Sequence, residues 1–320
     1  MEKPIIYLYE PLKAEQIDKI KQTAENYTVV TSKEELSSIN INAIEIMLGW
    51  GKALGQQLLA SPDSQLKWVQ TISAGVDTLD LEQFAKKGIL LSNASGIHSI
   101  SIAEHVLGVL LTEYRAIRKS IVKQEHKYWS RDDLSYQQLS GQKLLIVGTG
   151  HIGQQLAAFT QGLGIQTYGV NTSGHATAGF IECYSQKNMK RIINEMDIVV
   201  NILPLTDQTY QLYDEQMFQA MKPGTVFVNV GRGPSVNTAD LTAALKNGQL
   251  RFAALDVFEE EPLPQDSELW AMENVLITPH ISGLTPHFKS KLSAIFLQNL
   301  TSYLTDRTLA KNAVSLKKGY

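Results

Sequence analysis

The chain has 320 residues, a length that suits two ordinary domains. Hydrophobic residues make up 43% of it and charged residues 19%, a balance typical of a globular protein with sizeable cores. With 29 basic and 32 acidic residues the formal net charge is −3. This argues against a nucleic-acid or anionic-membrane binder, because such proteins concentrate Lys and Arg.

The targeting and redox features predict a cytoplasmic protein with no metal site. The one cysteine, Cys183, lacks a partner for an internal disulfide or a thiolate zinc site, and we assign it no role. A reducing compartment follows from this. The apolar stretch 5–9 stops at Glu10, too short for a signal-peptide core, and no run approaches the ~18–20 apolar residues of a membrane helix.

Short apolar runs alternate with helix-period segments from the N-terminus onward, a pattern typical of βαβ units in a parallel sheet. The strands predicted in the first third are Ile5–Leu8, Ile44–Leu48, Trp68–Ile72 and Ile89–Leu91, and the helices are Ala14–Ala24 and Leu79–Lys87. The turn after the first strand, Tyr9-Glu10-Pro11, lacks the glycines that let backbone approach a phosphate. We therefore do not expect a nucleotide there.

A second α/β series follows a long helix predicted from Ile100 to Lys123. Its strands are predicted at Leu144–Val147, Gln166–Val170, Ile198–Ile202, Thr225–Val230, Ala253–Val257 and Val275–Thr278, and a closing helix at Phe288–Leu304. We expect two Rossmann-like, doubly wound parallel-sheet domains with a cleft between them. Residues 1–98 plus 285–320 would form the substrate-binding, flavodoxin-like domain, and residues 99–284 the NAD(P)-binding domain.

A glycine-rich turn, Gly148-Thr149-Gly150-His151-Ile152-Gly153, lies between a predicted strand and a predicted helix. In a Rossmann fingerprint Gly148 permits the tight turn, Gly150 admits the pyrophosphate and Gly153 lets helix and strand pack closely. The helix N-terminus at His151 and Ile152 offers N–H groups to the anion. A purely structural glycine turn is the alternative, but the strand and helix on either side favour dinucleotide binding.

The residue that holds the adenosine ribose is expected about 20 residues further on, at the end of the next strand. Asn171 stands there, followed by Thr172 and Ser173, where NAD-specific proteins carry Asp or Glu. This turn has no Arg for a 2′-phosphate, but Thr172, Ser173 and His175 are able to donate hydrogen bonds to one. The cofactor is therefore NADP or NAD, with NADP favoured, and a plain polar turn is the alternative.

Three further segments place a charged or titratable residue just beyond a predicted strand, at the edge where doubly wound sheets bind ligands. They are Asn229-Val230-Gly231-Arg232-Gly233, Phe258-Glu259-Glu260-Glu261-Pro262 and Thr278-Pro279-His280-Ile281-Ser282-Gly283. Taken singly, Arg232 is typical of a surface turn, Glu261 of a solvated acidic face and His280 of a structural histidine. Their joint occurrence with the glycine turn favours catalysis.

With these motifs the chain resembles the D-isomer-specific 2-hydroxyacid dehydrogenase family, most strongly over residues 141–286 and more weakly over residues 71–111. Residues 282–287 are similar to the glyoxylate/hydroxypyruvate reductase-like branch of that family. The resemblance implies that the arginine, glutamate and histidine just described form the catalytic set.

The chemistry of these three residues agrees with that role. Reduction of a 2-oxo acid needs a hydride from the nicotinamide and a proton for the ketone oxygen. His280 suits the proton transfer because histidine exchanges a proton near neutral pH. Glu261 would accept a hydrogen bond from the imidazole and orient it. Arg232 would bind the substrate carboxylate with its planar fork. Formate dehydrogenases of this superfamily carry glutamine in place of the glutamate, so Glu261 argues against that activity.

The resemblance implies further contacts. Gly75 and Val76, in a loop that includes Ala74, would bind the substrate carboxylate through backbone N–H groups, although a plain glycine turn is the alternative. Besides the arginine and histidine, the residues implied to line the cofactor are Leu203, Pro204, Thr209, Val230, Gly231, Asp256 and Gly283. Three other side chains either shape the substrate pocket or pack as ordinary residues, namely Trp50, Trp129 and His287.

The sequence thus favours an NAD(P)-dependent oxidoreductase that interconverts small 2-oxo acids and D-2-hydroxy acids. The resemblance also implies a homodimer, with helix 100–123 in its interface, and hinges near His98 and Gly283 that let the domains close on substrate. The alternative is a dinucleotide-sensing corepressor of the same fold, although the sequence has no basic patch or disordered tail to support it. The identity of the acid stays open.

Overall fold

The computed structural model describes residues 3–129 and 131–317. The chain divides into two compact units, Met1–Ile97 with Pro286–Tyr320 and His98–Thr285. Each boundary differs by one residue from the predicted domains, because His98 and Thr285 group with the second unit. No helix in the described part of the chain combines the length and apolarity needed to cross a membrane.

The first unit is built on a five-stranded parallel sheet. Its strands are β1 (Ile5–Leu8), β2 (Thr28–Val30), β3 (Ile44–Leu48), β4 (Trp68–Gln70) and β5 (Leu90–Ser92). Its helices are α1 (Ala14–Thr23), α2 (Lys33–Ser37), α3 (Lys52–Ala60), α4 (Leu81–Lys87) and, from the end of the chain, α11 (Phe288–Asp306). The strands lie in the order β2-β1-β3-β4-β5.

Strand β1 shows why this sheet is covered on both faces. Ile5 and Tyr7 enter one hydrophobic core, while Ile6 and Leu8 enter the core on the opposite face. Side chains alternate along a strand, so a strand that is apolar at every position needs a packed layer on each side.

The second unit is built on a seven-stranded parallel sheet. Its strands are β6 (Lys143–Val147), β7 (Gln166–Asn171), β8 (Cys183–Ser185), β9 (Ile198–Asn201), β10 (Thr225–Asn229), β11 (Leu250–Leu255) and β12 (Val275–Ile277). Its helices are α5 (Ser99–Tyr114), α6 (Ile117–Glu125), α7 (His151–Gly162), α8 (Met189–Ile192), α9 (Glu215–Ala220) and α10 (Thr238–Lys246). The strands lie in the order β12-β11-β10-β9-β6-β7-β8.

Both sheets reverse their winding direction once. The reversal falls between β1 and β3 in the first sheet and between β6 and β9 in the second. Ligands of doubly wound sheets bind outside the carboxyl ends of the strands at such a switch point. The turn that follows β6 is the glycine turn 148–153, which therefore lies at the switch point of the second sheet.

The predicted helix 100–123 is wrong in one respect, because the structure has two helices there. Helix α5 ends at Tyr114, and Ala116 takes a left-handed backbone conformation with φ of 53° before α6 begins. A left-handed residue interrupts an α-helix, and the apolar periodicity that continues across this point hides the break. Two strands and five helices, each of nine residues or fewer, are absent from the sequence-based prediction, namely β2, β8, α2, α3, α8, α9 and α10. The other predicted elements are present, with ends shifted by up to three residues.

Candidate active site

The glycine turn after β6 leaves open space in front of it. Gly148 has φ of 116°, which glycine adopts without strain. A Cβ atom at Gly153 would lie 2.0 Å from the carbonyl oxygen of Gly148, so only glycine lets α7 pack this closely on the turn. Gly150 is exposed, and a Cβ atom there would meet no neighbouring atom within 4 Å.

Helix α7 begins directly behind this space. Its first turn has no capping side chain and no acidic residue. The first N–H groups of a helix have no intrahelical acceptor, so those of His151 and Ile152 remain for an external group at the positive end of the helix dipole. The open turn and the uncapped helix together fit the pyrophosphate of a dinucleotide.

Asn171 organises the turn after β7. Its side-chain amide donates to the carbonyl oxygen of His175 at 2.9 Å and to the hydroxyl of Thr149 at 3.2 Å, and its Oδ1 accepts a backbone N–H at 2.7 Å. Thr172, Ser173 and His175 stay exposed around it. The turn therefore presents hydroxyl and imidazole groups and no carboxylate.

The loop after β9 is held by a buried hydroxyl. Oγ1 of Thr209 donates to the carbonyl oxygen of Pro204 at 2.7 Å and accepts the N–H of Thr206 at 2.7 Å. A Cβ atom at Gly231 would lie 2.7 Å from the carbonyl oxygen of Leu203. This loop and the turn after β10 are thus packed backbone against backbone.

Two buried asparagines support the turn that carries Arg232, next to the buried Val230. Asn201 and Asn229 end neighbouring strands, and Nδ2 of Asn201 donates to Oδ1 of Asn229 at 3.0 Å and to the hydroxyl of Ser235 at 2.8 Å. Nδ2 of Asn229 and the hydroxyl of Ser235 then donate to the carbonyl oxygen of Arg232, at 3.2 and 2.6 Å. Sequence reasoning missed these residues, and the one available signal was a polar residue at the end of each apolar strand.

The arginine turn is connected to Glu261 and His280 through Phe258. A Cβ atom at Gly233 would lie 1.7 Å from the carbonyl oxygen of Phe258, so the turn lies directly against that main chain. The N–H of Phe258 donates to Oε1 of Glu261 at 3.0 Å. Oε2 of Glu261 lies 2.7 Å from Nδ1 of His280. The structure therefore brings the predicted glutamate and histidine into contact and places the arginine turn beside them.

His280 combines exposure with an unusual backbone. Its side chain is 54% exposed and that of Glu261 is 36% exposed, so both are open to a ligand. Its φ is 53°, a left-handed conformation that costs a non-glycine residue about 1–3 kcal/mol. Surrounding contacts must hold such a residue, and the N–H of His280 donates to the carbonyl oxygen of Asp256 at 2.9 Å.

The side chain of Asp256 anchors the same loop. It is 1% exposed. Its Oδ1 accepts from the hydroxyl of Thr278 at 2.5 Å and from the N–H of Ile281 at 3.0 Å, and its Oδ2 accepts from the N–H of Ser282 at 2.9 Å. Burial by itself raises the pKa of Asp256, but these hydrogen bonds outweigh it and leave the pKa below its ordinary value. The carboxylate therefore stays ionised and holds residues 278–282.

The loop predicted to bind substrate lies after β4 in the first unit. The hydroxyl of Ser73 donates to the carbonyl oxygen of Gly75 at 2.7 Å, and Nδ2 of Asn93 donates to the carbonyl oxygen of Ala74 at 2.7 Å. Within the described part of this unit, the N–H groups of Gly75 and Val76 have no acceptor. The loop thus engages its carbonyl oxygens and leaves two N–H donors for a ligand.

Three other candidate residues are Trp50, Trp129 and Gly283. Trp50 packs against Phe84, with ring centroids 5.3 Å apart, and a Cβ atom at Gly55 would lie 2.1 Å from it, so Trp50 is part of the packing of its unit. Trp129 is 90% exposed. The carbonyl oxygen of Gly283 lies 2.6 Å from Nδ1 of His98, which joins the two ends of the second unit. Among residues 3–129 and 131–317, no cluster of His, Cys, Asp or Glu suits a metal ion.

A glycine turn at the switch point of a seven-stranded parallel sheet defines the second unit as a dinucleotide-binding domain. Comparison with known families agrees. The sequence model of the D-isomer specific 2-hydroxyacid dehydrogenase, NAD binding domain, matches residues 107–282, more than half of the chain.

Individual relatives resemble this chain over nearly its whole length. Glyoxylate/hydroxypyruvate reductase B of Escherichia fergusonii is 30% identical over 326 residues, which cover 98% of this chain and 98% of that protein. The structure of phosphoglycerate dehydrogenase from Lactobacillus plantarum is 38% identical, with a TM-score of 0.58, and the match covers 97% of this chain and 100% of that one. An NADPH-dependent glyoxylate/hydroxypyruvate reductase from Sinorhizobium meliloti, solved with NADP and sulfate, is 25% identical with a TM-score of 0.82, and the match covers 100% of both chains.

The chain therefore belongs to the D-isomer specific 2-hydroxyacid dehydrogenase family. It is an NAD(P)-dependent oxidoreductase that acts on the CH–OH group of 2-hydroxy acids. The predicted fold class of two parallel-sheet α/β domains and the predicted similarity to the glyoxylate/hydroxypyruvate reductase-like branch are both confirmed.

Proposed function

We propose that this enzyme reduces a small 2-oxo acid, glyoxylate or hydroxypyruvate, to the corresponding 2-hydroxy acid, with His280 as the acid–base residue and the D isomer as the product where C2 is chiral. The observation that carries the proposal is the 2.7 Å contact between Nδ1 of His280 and Oε2 of Glu261, at the carboxyl edge of the sheet that holds the glycine turn. The substrate class is taken from the glyoxylate/hydroxypyruvate reductases that the chain resembles over its full length.

Glu261 sets which nitrogen of the histidine meets the substrate. A carboxylate only accepts hydrogen bonds, so Nδ1 of His280 carries a proton in this contact. Nε2 then serves the reacting oxygen. In the imidazolium form it donates a proton to the oxygen on C2, and in the reverse reaction the neutral nitrogen takes that proton back.

Carboxylate recognition falls to the arginine and to backbone N–H groups. The guanidinium of Arg232 is able to bind a carboxylate in a bidentate manner and to polarise the neighbouring carbonyl. Its main chain is held by the asparagine network beneath it, which limits how far the group moves. The N–H groups of Gly75 and Val76 offer a second carboxylate site in the first unit. The nicotinamide, when bound to the second unit, would supply the hydride for C2.

NADPH is the cofactor that we favour over NADH. Asn171 uses its polar atoms to hold the turn after β7, so no acidic side chain is placed there to bind a ribose hydroxyl or to repel a 2′-phosphate. The exposed hydroxyls of Thr172 and Ser173 and the imidazole of His175 are suitable donors for that phosphate.

We also infer a homodimer that covers the outer face of α6. Ile117, Ile121 and Val122 are 43%, 51% and 46% exposed on this one short helix, and Trp129 beyond it is 90% exposed. Apolar side chains grouped in this way mark an interaction surface more often than a solvated one. Light scattering should give twice 35.5 kDa for the wild type and 35.5 kDa for Ile121→Glu.

A lone free cysteine, Cys183, agrees with a reducing compartment such as the cytoplasm.

The proposed reaction is tested by initial rates of NADPH and NADH oxidation with glyoxylate, hydroxypyruvate, phenylpyruvate, 2-oxoisocaproate and pyruvate. D-3-phosphoglycerate with NAD and NADP forms a separate arm, because a phosphoglycerate dehydrogenase is 38% identical to this chain. We expect the fastest turnover with glyoxylate or hydroxypyruvate and NADPH. Turnover confined to D-3-phosphoglycerate would contradict the substrate class, and no turnover in protein that binds NADPH would contradict the reaction.

A substitution tests the role of the arginine. Arg232→Lys keeps the charge but loses the planar fork, so kcat/KM should fall by about tenfold or more. The matched control is Arg191→Lys on the exposed surface of α8, which should change nothing. Equal kinetics for both variants would rule out the bidentate clamp.

A further inference from the structure

A chain of three polar side chains lies behind the loop that carries the candidate acid–base histidine, and the proposed reaction does not use it. Nε2 of His105, on α5, lies 3.2 Å from the hydroxyl oxygen of Thr278. That hydroxyl lies 2.5 Å from Oδ1 of Asp256. Asp256 is buried, and the other two residues are half-buried. These two contacts therefore join helix α5, in the core, to the loop after β12.

The direction of these hydrogen bonds follows from the groups themselves. An ionised carboxylate accepts and never donates, so the one hydroxyl proton of Thr278 must point to Asp256. The hydroxyl oxygen is then left to accept from His105, and the proton in that contact must sit on Nε2 of the imidazole. The histidine thus donates to the threonine, and the threonine donates to the aspartate.

The histidine is neutral in this arrangement. Burial lowers the pKa of His105, and the nearby charge of Asp256 opposes this only in part, so the pKa stays below the ordinary value for histidine. A neutral imidazole with its proton on Nε2 is a single tautomer, whereas histidine in solution exchanges between two.

We propose that His105 is a positioning residue, which fixes the loop of His280 through the hydroxyl of Thr278 and the carboxylate of Asp256. Asp256 in turn accepts the N–H groups of Ile281 and Ser282, directly after the histidine. The proposal rests on the proposed function, because it assigns a purpose to the geometry of His280.

The backbone of that histidine explains why such support matters. A left-handed φ of 53° is held only while its neighbours outweigh its cost. Each hydrogen bond in a chain of donors polarises the next, so the loss of the first donor weakens the bonds that reach the loop. His105 acts on the loop of His280 and, among the described residues, forms no hydrogen bond with the glycine turn or the arginine turn, so its loss should lower kcat more than it raises the KM for NADPH.

The first test reads the tautomer directly in the wild-type enzyme. Two-dimensional NMR of protein labelled with ¹⁵N-histidine resolves the ring nitrogens of the seven histidines, and His105→Gln identifies the signal of interest. We expect one tautomer with the proton on Nε2. A proton on Nδ1, or averaging between both nitrogens, would overturn the proposal.

The second test uses kinetics with rescue. His105→Leu removes the donor and should lower kcat about five- to tenfold, the scale of one buried hydrogen bond, with the KM for NADPH changed less than about twofold. His105→Gln offers an amide N–H and should recover most of the loss. Thr278→Val should behave like His105→Leu, and Thr278→Ser like the wild type, since only the latter keeps a hydroxyl.

The outcomes separate this proposal from the reaction on which it rests. If the wild type reduces none of the 2-oxo acids, the proposed function fails, and the tautomer measurement still decides whether the hydrogen-bond order is correct. If the wild type is active but His105→Leu retains full kcat, or His105→Gln is as impaired as His105→Leu, the positioning role is wrong.

Discussion

The two sheets of this enzyme share a winding pattern and differ at the point where the winding reverses. After β1, Tyr9 lies over Gly51, where an added Cβ atom would come within 2.5 Å of the tyrosine ring. After β6, the turn 148–153 leaves open space in front of an uncapped helix. An aromatic side chain thus occupies the first switch point, and the second is open to a phosphate.

The loops at the carboxyl edges differ in chemistry as well. The second unit presents the side chains of Arg232, Glu261 and His280, whereas the first unit presents N–H groups at Gly75 and Val76. Similar sheets therefore support different tasks, because the task depends on the turns and not on the strands. Substitutions in each unit test this division between side-chain chemistry and backbone recognition.

The largest effect on activity should come from substitution of His280, in the second unit. His280→Ala should lower kcat about 10²- to 10⁴-fold, the usual contribution of a positioned acid–base group. Its side chain is half exposed, so thermal unfolding should stay close to that of the wild type. Ser73→Ala, which removes one hydrogen bond from the first unit's loop, should cost less than about tenfold in kcat/KM. If Ser73→Ala lowered the enzyme's activity more than His280→Ala, the assignment of side-chain chemistry to the second unit and of backbone recognition to the first would be wrong.

The two switch points give a second contrast. Gly150→Ala adds a methyl group where no atom lies within 4 Å, so the protein should fold normally while the pyrophosphate is kept from the backbone. The KM for NADPH should rise about tenfold or more. Gly51→Ala meets the ring of Tyr9 instead and should lower the unfolding temperature without a change in that KM. If Gly51→Ala weakened cofactor binding and Gly150→Ala did not, the dinucleotide would bind at the first switch point and not at the second.

Cofactor preference should respond to a single charge in the turn after β7. Asn171→Asp would repel a 2′-phosphate and accept ribose hydroxyls, so the ratio of kcat/KM for NADPH to that for NADH should fall about tenfold. Asn188→Asp places the same charge on the exposed surface and serves as the control. An unchanged ratio in Asn171→Asp would show that this turn does not meet the adenosine ribose.

The smallest effect should be a difference in how low pH affects two loops, the loop after β12 in the second unit and the loop after β4 in the first. Because the pKa of Asp256 lies below its ordinary value, its ionised form stabilises the loop above about pH 3.9, and this contribution is lost as the pH falls through the lowered pKa. The first unit's loop is held by neutral groups such as Asn93. In hydrogen exchange corrected for intrinsic rates, the protection of Ser282 should decline below about pH 4, and that of Ala94 should stay level. A parallel decline in both would contradict this.

The elements that the sequence located correctly are those whose signals are local. Strands β1 and β6 are continuous apolar runs bounded by polar residues, and the glycine turn is read from three glycines between a strand and a helix. These two features depend on neighbours close in the chain. The contact between Glu261 and His280 was expected from the family resemblance and from the chemistry of the two groups.

The supports of the site could not be read in this way. His105 and Thr278 are 173 residues apart in the chain, and no spacing rule connects them. Asn201 and Asn229 meet because β9 and β10 pair in register, which a polar residue at a strand end does not reveal. Sequence reasoning thus identifies the candidate reactive groups and overlooks the residues that hold them in place.

The sequence by itself determined the alternation of strands and helices, the glycine turn and the identity of the charged residues beyond the strands, because periodicity and motif spacing are properties of the chain. Only the tertiary structure decided that the helix predicted over 100–123 breaks at Ala116, that His280 has a left-handed backbone and that Asp256 anchors its loop. A backbone angle or a hydrogen-bond partner of this kind is set by residues that the sheet brings together. Because these residues are far apart in the chain, no local sequence pattern reveals them.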